Sequence, residues 1–222
     1  MSDYEEKIKN GELIYFDDAA FMAKQAKQLD LLFDLNHTRP TEQEKKERLL
    51  RAFFGAVGDG TYIELPVHAN WGCNTYWGRD CYANFNLTLV DDTEIHIGDN
   101  CMFAPNVVLA TAGHPILPEL RRKKAQYQAP VRIGSNVWIG ANAVVMPGVT
   151  VGDNSVIGAG SIVTKDIPPD VVAVGNPCRV LRPIGERDKE FFFKDRRIEQ
   201  REVEKWDAPG KVIAEPGEEI NL

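Results

Sequence analysis

Between residues 133 and 168 the aliphatic positions recur every six residues. The units open on Ile133, Ile139, Val145, Val151, Ile157 and Val163, and glycine follows the opening residue in four of them. The fifth slot of each unit is small or β-branched. Neither the helical period of 3.6 nor the strand period of 2 produces this beat, so the pattern predicts a repeat architecture. Each hexad reads as one short strand plus a turn of a β-helix. The aliphatic side chain points into a prism, and Gly or Asn takes corners that need a positive φ. Stacked coils then share one continuous core. A run of ordinary hairpins would not hold the aliphatic slot in phase over six units.

Upstream the beat is looser. Leu65, Trp71, Trp77, Ala83 and Leu89 stand six apart; the phase slips by two residues around 93–96 and resumes at Ile97, Phe103 and Leu109. The slip predicts a bulge or turn adjustment at Asp91 and Asp92. Residues 111–130 hold no repeat unit, yet Ile133 lies a multiple of six beyond Leu109, so the prism is expected to resume in register after an excursion loop. A loop of this length inside a compact repeat is more often functional than not.

Residues 1–58 carry a different pattern and read as an N-terminal helical cap. Asp17 and Asp18 can cap a helix with Phe21, Met22, Leu29, Leu32 and Phe33 on one side. A capping-box pattern from Thr41 to Glu44 leads into Leu49, Leu50, Phe53 and Phe54, and Gly55 and Gly58 end it. The β-helix is expected over 59–183. Residues 184–222 are read as a helix over 186–206 followed by an acidic tail, the three parts making one structural unit overall.

Composition narrows the function. A net charge of -7 over 222 residues argues against a nucleic-acid surface as the main business. No apolar run approaches membrane-spanning length. Cys73, Cys81, Cys101 and Cys178 have no metal-ligand spacing and read as buried thiols in a reducing compartment, so the cytoplasm is the default. Of the histidines His37, His68, His96 and His114, only His114 sits in an exposed-turn context, Thr111-Ala-Gly-His-Pro115, at the mouth of the excursion. An imidazole titrates near neutrality and is the usual general base there. No Gly-x-Ser-x-Gly elbow supports a covalent acyl-enzyme, and no histidine pair has HExxH spacing, so no metal is expected.

The hexads, with the segments Tyr82-Ala-Asn-Phe-Asn86, Gly113-His-Pro115, Asn136-Val-Trp-Ile-Gly140 and Gly175-Asn-Pro-Cys-Arg179, resemble the hexapeptide-repeat acyltransferases, in particular the galactoside and maltose O-acetyltransferases. The resemblance implies a mainly β, left-handed parallel β-helix, a homotrimer with active sites between subunits, and acetyl-CoA as co-substrate. By the same resemblance His114 is the catalytic base and Asn84 stabilises the transition state. Asp17, Asn70, Tyr82 and Asp92 fall at acceptor-contacting positions. Trp138, Ala141, Ala159, Thr164, Lys165, Arg179 and Arg182 fall where the family binds coenzyme A. Asn70 and Gln126 stand where the galactoside enzymes are familiar with Ser and Met, which bears on the acceptor rather than the reaction. The acceptor implied is a sugar hydroxyl, with a xenobiotic or amino-sugar acceptor as the alternative. A zinc carbonic anhydrase on the same prism would need three converging histidines, and a non-catalytic scaffold would leave the excursion and its histidine without a purpose.

Overall fold

The computed structural model describes residues 6–8, 10–15, 19–199 and 202. The main unit, ending at Pro183, is a parallel β-helix with helices at its N-terminal end. After a helical turn at residues 6–8 come helices α1 (Ala19–Asn36) and α2 (Gln43–Phe53). The first coil runs through β1 (Ala56–Val57), β2 (Tyr62–Ile63) and β3 (His68–Ala69), and the second through β4 (Thr75–Trp77), β5 (Tyr82–Ala83) and β6 (Thr88–Val90). β7 (Ile95–Ile97), β8 (Met102–Phe103) and β9 (Val108–Ala110) make the third. The hairpin β10 (Ala112–Gly113) and β11 (Tyr127–Gln128) follows, with the short helix α3 (Pro118–Arg122) between its strands. Two more coils take β12 (Val131–Ile133), β13 (Trp138–Ile139), β14 (Val144–Val145), β15 (Thr150–Val151), β16 (Val156–Ile157) and β17 (Ile162–Val163). β18 (Val171–Val174) adds a last rung on one face, and β19 (Arg179–Pro183) turns back antiparallel along it.

Three parallel faces result. Face 1 stacks β1, β4, β7, β12 and β15; face 2 stacks β2, β5, β8, β13, β16 and β18; face 3 stacks β3, β6, β9, β14 and β17. The inward aliphatics named from the sequence are buried along the axis: Ile133, Ile139, Val145, Val151, Ile157 and Val163 are each at most 3% exposed. Phe103 sits mid-axis, its ring 5.5 Å from that of Trp77. Phe103→Ala is expected to cost about 3–5 kcal/mol, read from urea unfolding, because the rigid rungs around it cannot collapse into the void.

The corners divide the labour between two residue types. Asn136, Asn142 and Asn154 take positive φ (56°, 59° and 60°), the left-handed turn that asparagine tolerates. Their amides also stack: Asn136 Nδ2 donates to Asn154 Oδ1 at 3.1 Å, and Asn154 Nδ2 to Asp170 Oδ1 at 2.8 Å. The glycine after the aliphatic serves close approach instead. A Cβ on Gly134 would lie 2.7 Å from the Asp153 backbone nitrogen.

Coil length corrects the upstream register. On face 1 Arg132 pairs with Thr150, eighteen residues on, whereas Tyr76 pairs with His96, twenty on. The step from face 3 back to face 1 is therefore two residues longer in the early coils. That lengthening occurs at 70–74 as well as at 91–94. Consequently Ile63 and Ala69, not Leu65 and Trp71, carry the inward phase of the first coil, aligned with Ala83 and Leu89 above them. Trp71 is nevertheless buried, at the lengthened turn itself.

The cap is held by both polar and apolar contacts. Asn36, at the end of α1, exchanges two hydrogen bonds with the Val67 backbone, at 2.8 and 3.0 Å. The Lys46 ammonium lies 3.8 Å from the centre of the Tyr62 ring, and Phe53 and Phe54 close the end of the core. The expected capping box at Thr41 does not form. Glu42 is the N-cap of α2, and its carboxylate accepts the Arg39 N–H at 3.0 Å instead. Asp17 and Asp18 lie outside the described residues.

The second unit begins at Ile184. It holds α4 (Glu186–Glu190) and a hairpin of β20 (Phe191–Phe193) and β21 (Arg196–Arg197), not the long helix expected over 186–206. Three consecutive phenylalanines favour a strand, and Lys194 adopts a positive φ of 52° that ends any helix. Arg187 and Arg197 sit over the Phe191 ring at 5.0 and 5.1 Å. The tail expected from 207 lies outside the described residues.

Candidate active site

The edge where the chain returns from face 3 to face 1 holds Asp92 and, on the hairpin above it, His114. In the early coils its turns are two residues longer than a hexad allows, and side chains help to serve the backbone donors there. Asp91 does this from a fully buried position. Its Oδ1 accepts the N–H groups of Asn70 (3.0 Å) and Trp71 (2.8 Å), and its Oδ2 accepts the Thr75 hydroxyl (3.1 Å). Its carbonyl accepts Asn74 Nδ2 at 2.8 Å.

Asp92 is next in the chain and 7% exposed. Asn70 Nδ2 donates to its Oδ2 at 3.0 Å and Trp71 Nε1 to its Oδ1 at 3.4 Å. Burial raises its pKa, and the hydrogen bonds from Asn70 and Trp71, with the neighbouring Gln126 and His114, offset only part of the rise. Asn70, Asp92 and His114, all named from sequence, therefore converge. Burial pushes Asp91 higher still, to about 7.

That shift has a consequence for stability. The unfolded acid ionises near its ordinary value of 3.8, while the folded one stays protonated to about 7. Between those values the native state binds the extra proton, so stability falls as pH rises. Asp91→Asn removes the titration and should gain on the parent protein by at most ~1.4 kcal/mol per pH unit across that window, measured by denaturant titration at several pH values.

His114 stands on the excursion hairpin above this edge. Thr111 roots the hairpin: its hydroxyl donates to Val90 O at 2.8 Å and accepts the Thr93 N–H at 3.1 Å. Gly113 lets the strands close, since a Cβ there would lie 2.4 Å from the Tyr127 hydroxyl oxygen. His114 is exposed, and its Nδ1 is 2.8 Å from the carbonyl of Ala125 across the loop. A carbonyl only accepts, so Nδ1 carries the hydrogen and Nε2 presents a lone pair. Ile14 exchanges backbone hydrogen bonds of 2.9 Å with Gln126, which brings the N-terminal segment alongside the same hairpin.

Most of the other predicted residues lie elsewhere on the prism. Asn84 follows β5 at the middle edge, between faces 2 and 3. Its Oδ1 accepts the Phe85 N–H at 2.8 Å, which leaves Nδ2 as the outward donor. Ala141 and Ala159 occupy the same edge two and three coils higher, bridged by the Gly160 N–H on Ala141 O at 2.8 Å. Trp138 stands beside them on face 2, 50% exposed. Tyr82 lies on face 2, its ring stacked 6.4 Å from Tyr62 and its pKa raised by burial and by Glu64. Thr164 and Lys165 are exposed on the returning edge, and Arg179 and Arg182 are exposed on β19. One chain thus separates Asn84 and Trp138 from His114 by the width of face 3.

Sequence reasoning did not single out Asp91 or Trp71 as site residues, whereas it marked Gln126 as bearing on the acceptor. The signal for the first two was the early twenty-residue coil: a turn two residues too long needs a buried acceptor. Among the described residues no group of His, Cys, Asp or Glu is arranged to hold a metal ion, and His96 is bonded to Glu94 at 2.8 Å and stacked on Tyr76. No helix among them is long and apolar enough to cross a membrane.

Comparison with known proteins identifies the architecture. Residues 7–58 match the maltose acetyltransferase hexapeptide capping motif, and residues 130–165 match the hexapeptide repeat of succinyl-transferase. The galactoside O-acetyltransferase of Escherichia coli (strain K12) is 50% identical over 194 residues, covering 87% of this chain and 96% of that protein. The galactoside O-acetyltransferase of Lactococcus lactis is 45% identical, over 87% and 94%. A galactoside acetyltransferase solved in complex with coenzyme A superposes with a TM-score of 0.87 at 49% identity, covering 90% of this chain and all of that one. A maltose O-acetyltransferase from Clostridium difficile 630 gives 0.80 at 45% identity, over 82% and 98%. With half its residues shared along nearly the full length of such a relative, the chain belongs to the hexapeptide-repeat acetyltransferases, among the galactoside and maltose O-acetyltransferases.

Proposed function

We propose that the chain transfers the acetyl group of acetyl-CoA to a sugar hydroxyl by direct attack, with Nε2 of His114 as general base. The observation that carries this is the bond between His114 Nδ1 and the Ala125 carbonyl, which fixes the tautomer and aims a basic nitrogen outward. The acceptor hydroxyl gives its proton to Nε2 as its oxygen bonds to the thioester carbonyl carbon. The tetrahedral intermediate then collapses, the C–S bond breaks, and the proton passes from the imidazolium to the departing thiolate. Asn84 Nδ2 donates to the developing oxyanion, a task for a preorganised amide. Asn70 and Asp92, with Tyr82 and Asp17, contact the acceptor, since amides and carboxylates accept from sugar hydroxyls.

Because Asn84 and His114 flank face 3 from opposite sides, a complete site needs two copies. A closed homotrimer, with face 3 at each interface, supplies three such sites. Coenzyme A lies along the middle edge past Trp138, Ala141 and Ala159. Thr164, Lys165, Arg179 and Arg182 are positioned for its polar length, the arginines pairing with phosphate. The coenzyme A complex of a relative that is 49% identical supports this cofactor. Four free cysteines suit a reducing compartment, the cytoplasm. The direct test is an acceptor screen of galactosides, glucosides, maltose and amino sugars, scored by release of coenzyme A. Sugar-dependent release supports the reading, and release with none of them refutes it.

A further inference from the structure

We propose that Asp91 is a positioning residue for the acceptor site: it holds the turn at Asn70–Thr75 so that Asn70 and Trp71 keep their donors on Asp92. The inference rests on the reading of Asp92 as an acceptor contact. Asp91 touches no part of the open site; it is 0% exposed, as is its partner Thr75. Its carboxylate gathers two backbone N–H groups and one hydroxyl from the coil below, at 3.0, 2.8 and 3.1 Å. Those groups lie in the stretch where the early coil carries two residues beyond a hexad rhythm; the Asn70 N–H also reaches a rung acceptor, Leu89 O at 3.1 Å.

The same two residues whose backbones Asp91 grips, Asn70 and Trp71, send their side chains to opposite oxygens of Asp92, at 3.0 and 3.4 Å. The two adjacent carboxylates thus clamp one turn from inside and outside. Gln126 of the excursion hairpin lies close enough to Asp92 to lower its pKa, which places the clamp beside the loop that bears His114. A freed turn would let Asn70 and Trp71 swing away and leave the Asp92 carboxylate without a fixed direction. Misaim of this kind weakens acceptor binding and spares the coenzyme A groups on the middle edge.

Asp91→Ala and Asp91→Asn are compared with the parent protein as full-length chains at pH 7.5, using the best sugar from the acceptor screen. The alanine variant should raise the acceptor KM at least about tenfold, with a proportionately smaller fall in kcat and a coenzyme A dissociation constant within about twofold of the parent. The asparagine variant, whose Oδ1 still accepts both N–H groups, should recover most of that KM. An unchanged KM in a folded alanine variant overturns the inference, and so does an asparagine variant as impaired as alanine. Equal losses in KM, kcat and coenzyme A affinity would mark a merely structural role and also overturn it. Should Asp91→Ala not fold, Thr75→Val deletes one donor and should raise KM about two- to fivefold, with Thr75→Ser as its rescue; no rise there refutes the proposal. If the parent protein itself shows no sugar-dependent release, the functional reading falls first and takes this inference with it.

Discussion

His114→Ala should lower kcat by about a hundred- to ten-thousand-fold while coenzyme A still binds. The size follows from what one proton acceptor contributes when nothing replaces it. A sugar hydroxyl is a poor nucleophile with its proton in place, and among the described neighbours Asp92 already accepts from Asn70 and Trp71. The separation from folding is equally specific. His114 is exposed and its ring makes one hydrogen bond, to the Ala125 carbonyl, which water can replace. Its loss should therefore change stability by only about 1 kcal/mol, visible as a small shift in the urea midpoint. Pre-steady-state assay of acetyl transfer, with calorimetric titration of coenzyme A, distinguishes a lost base from a lost cofactor site. Turnover near the parent rate would refute the assignment.

The prism was legible because its period is set by geometry that leaves the sequence little choice. Every hexad from Ile133 onward puts an aliphatic residue on the axis, and the structure buries each of them. The early coils were only half legible. Trp71 and Trp77 stand six apart, yet Trp71 belongs to a lengthened turn, and a buried indole at such a turn mimics an inward rung residue. The stretch 186–206 has a helix-compatible composition, but Phe191 and Phe193 pair with Arg197 and Arg196 in a hairpin instead. Propensity for a strand and the Lys194 turn outweigh the charged residues that suggested helix. Among the site residues, His114 was visible because it interrupts the repeat with Gly and Pro on either side. Asp91 was not singled out, since a carboxylate that works from inside the wall has no motif of its own; only the pairing of Tyr76 with His96 exposes its task.

The division of the candidate site between two edges leads to the second large effect. Asn84→Ala, which deletes the amide on the middle edge, should by itself cost about a hundred- to a thousandfold in kcat, as loss of an oxyanion donor does elsewhere. Mixed with His114→Ala chains, however, it should recover activity. If each site takes its histidine from one copy and its asparagine from the next, some interfaces in a mixed ring hold both intact groups. Random assembly of equal amounts draws an intact histidine and an intact asparagine at a given interface half the time each, so about a quarter of the sites should be whole. Co-unfolding and refolding the two variants together, then assaying per chain, should return about a quarter of the parent rate, far above either variant alone. A site built within one chain gives no such recovery, because every chain in the mixture carries one lesion. The geometry argues for recovery: Asn84 and His114 stand at opposite borders of face 3, and a threefold ring with faces 3 around its axis sets one border of each copy against the opposite border of the next.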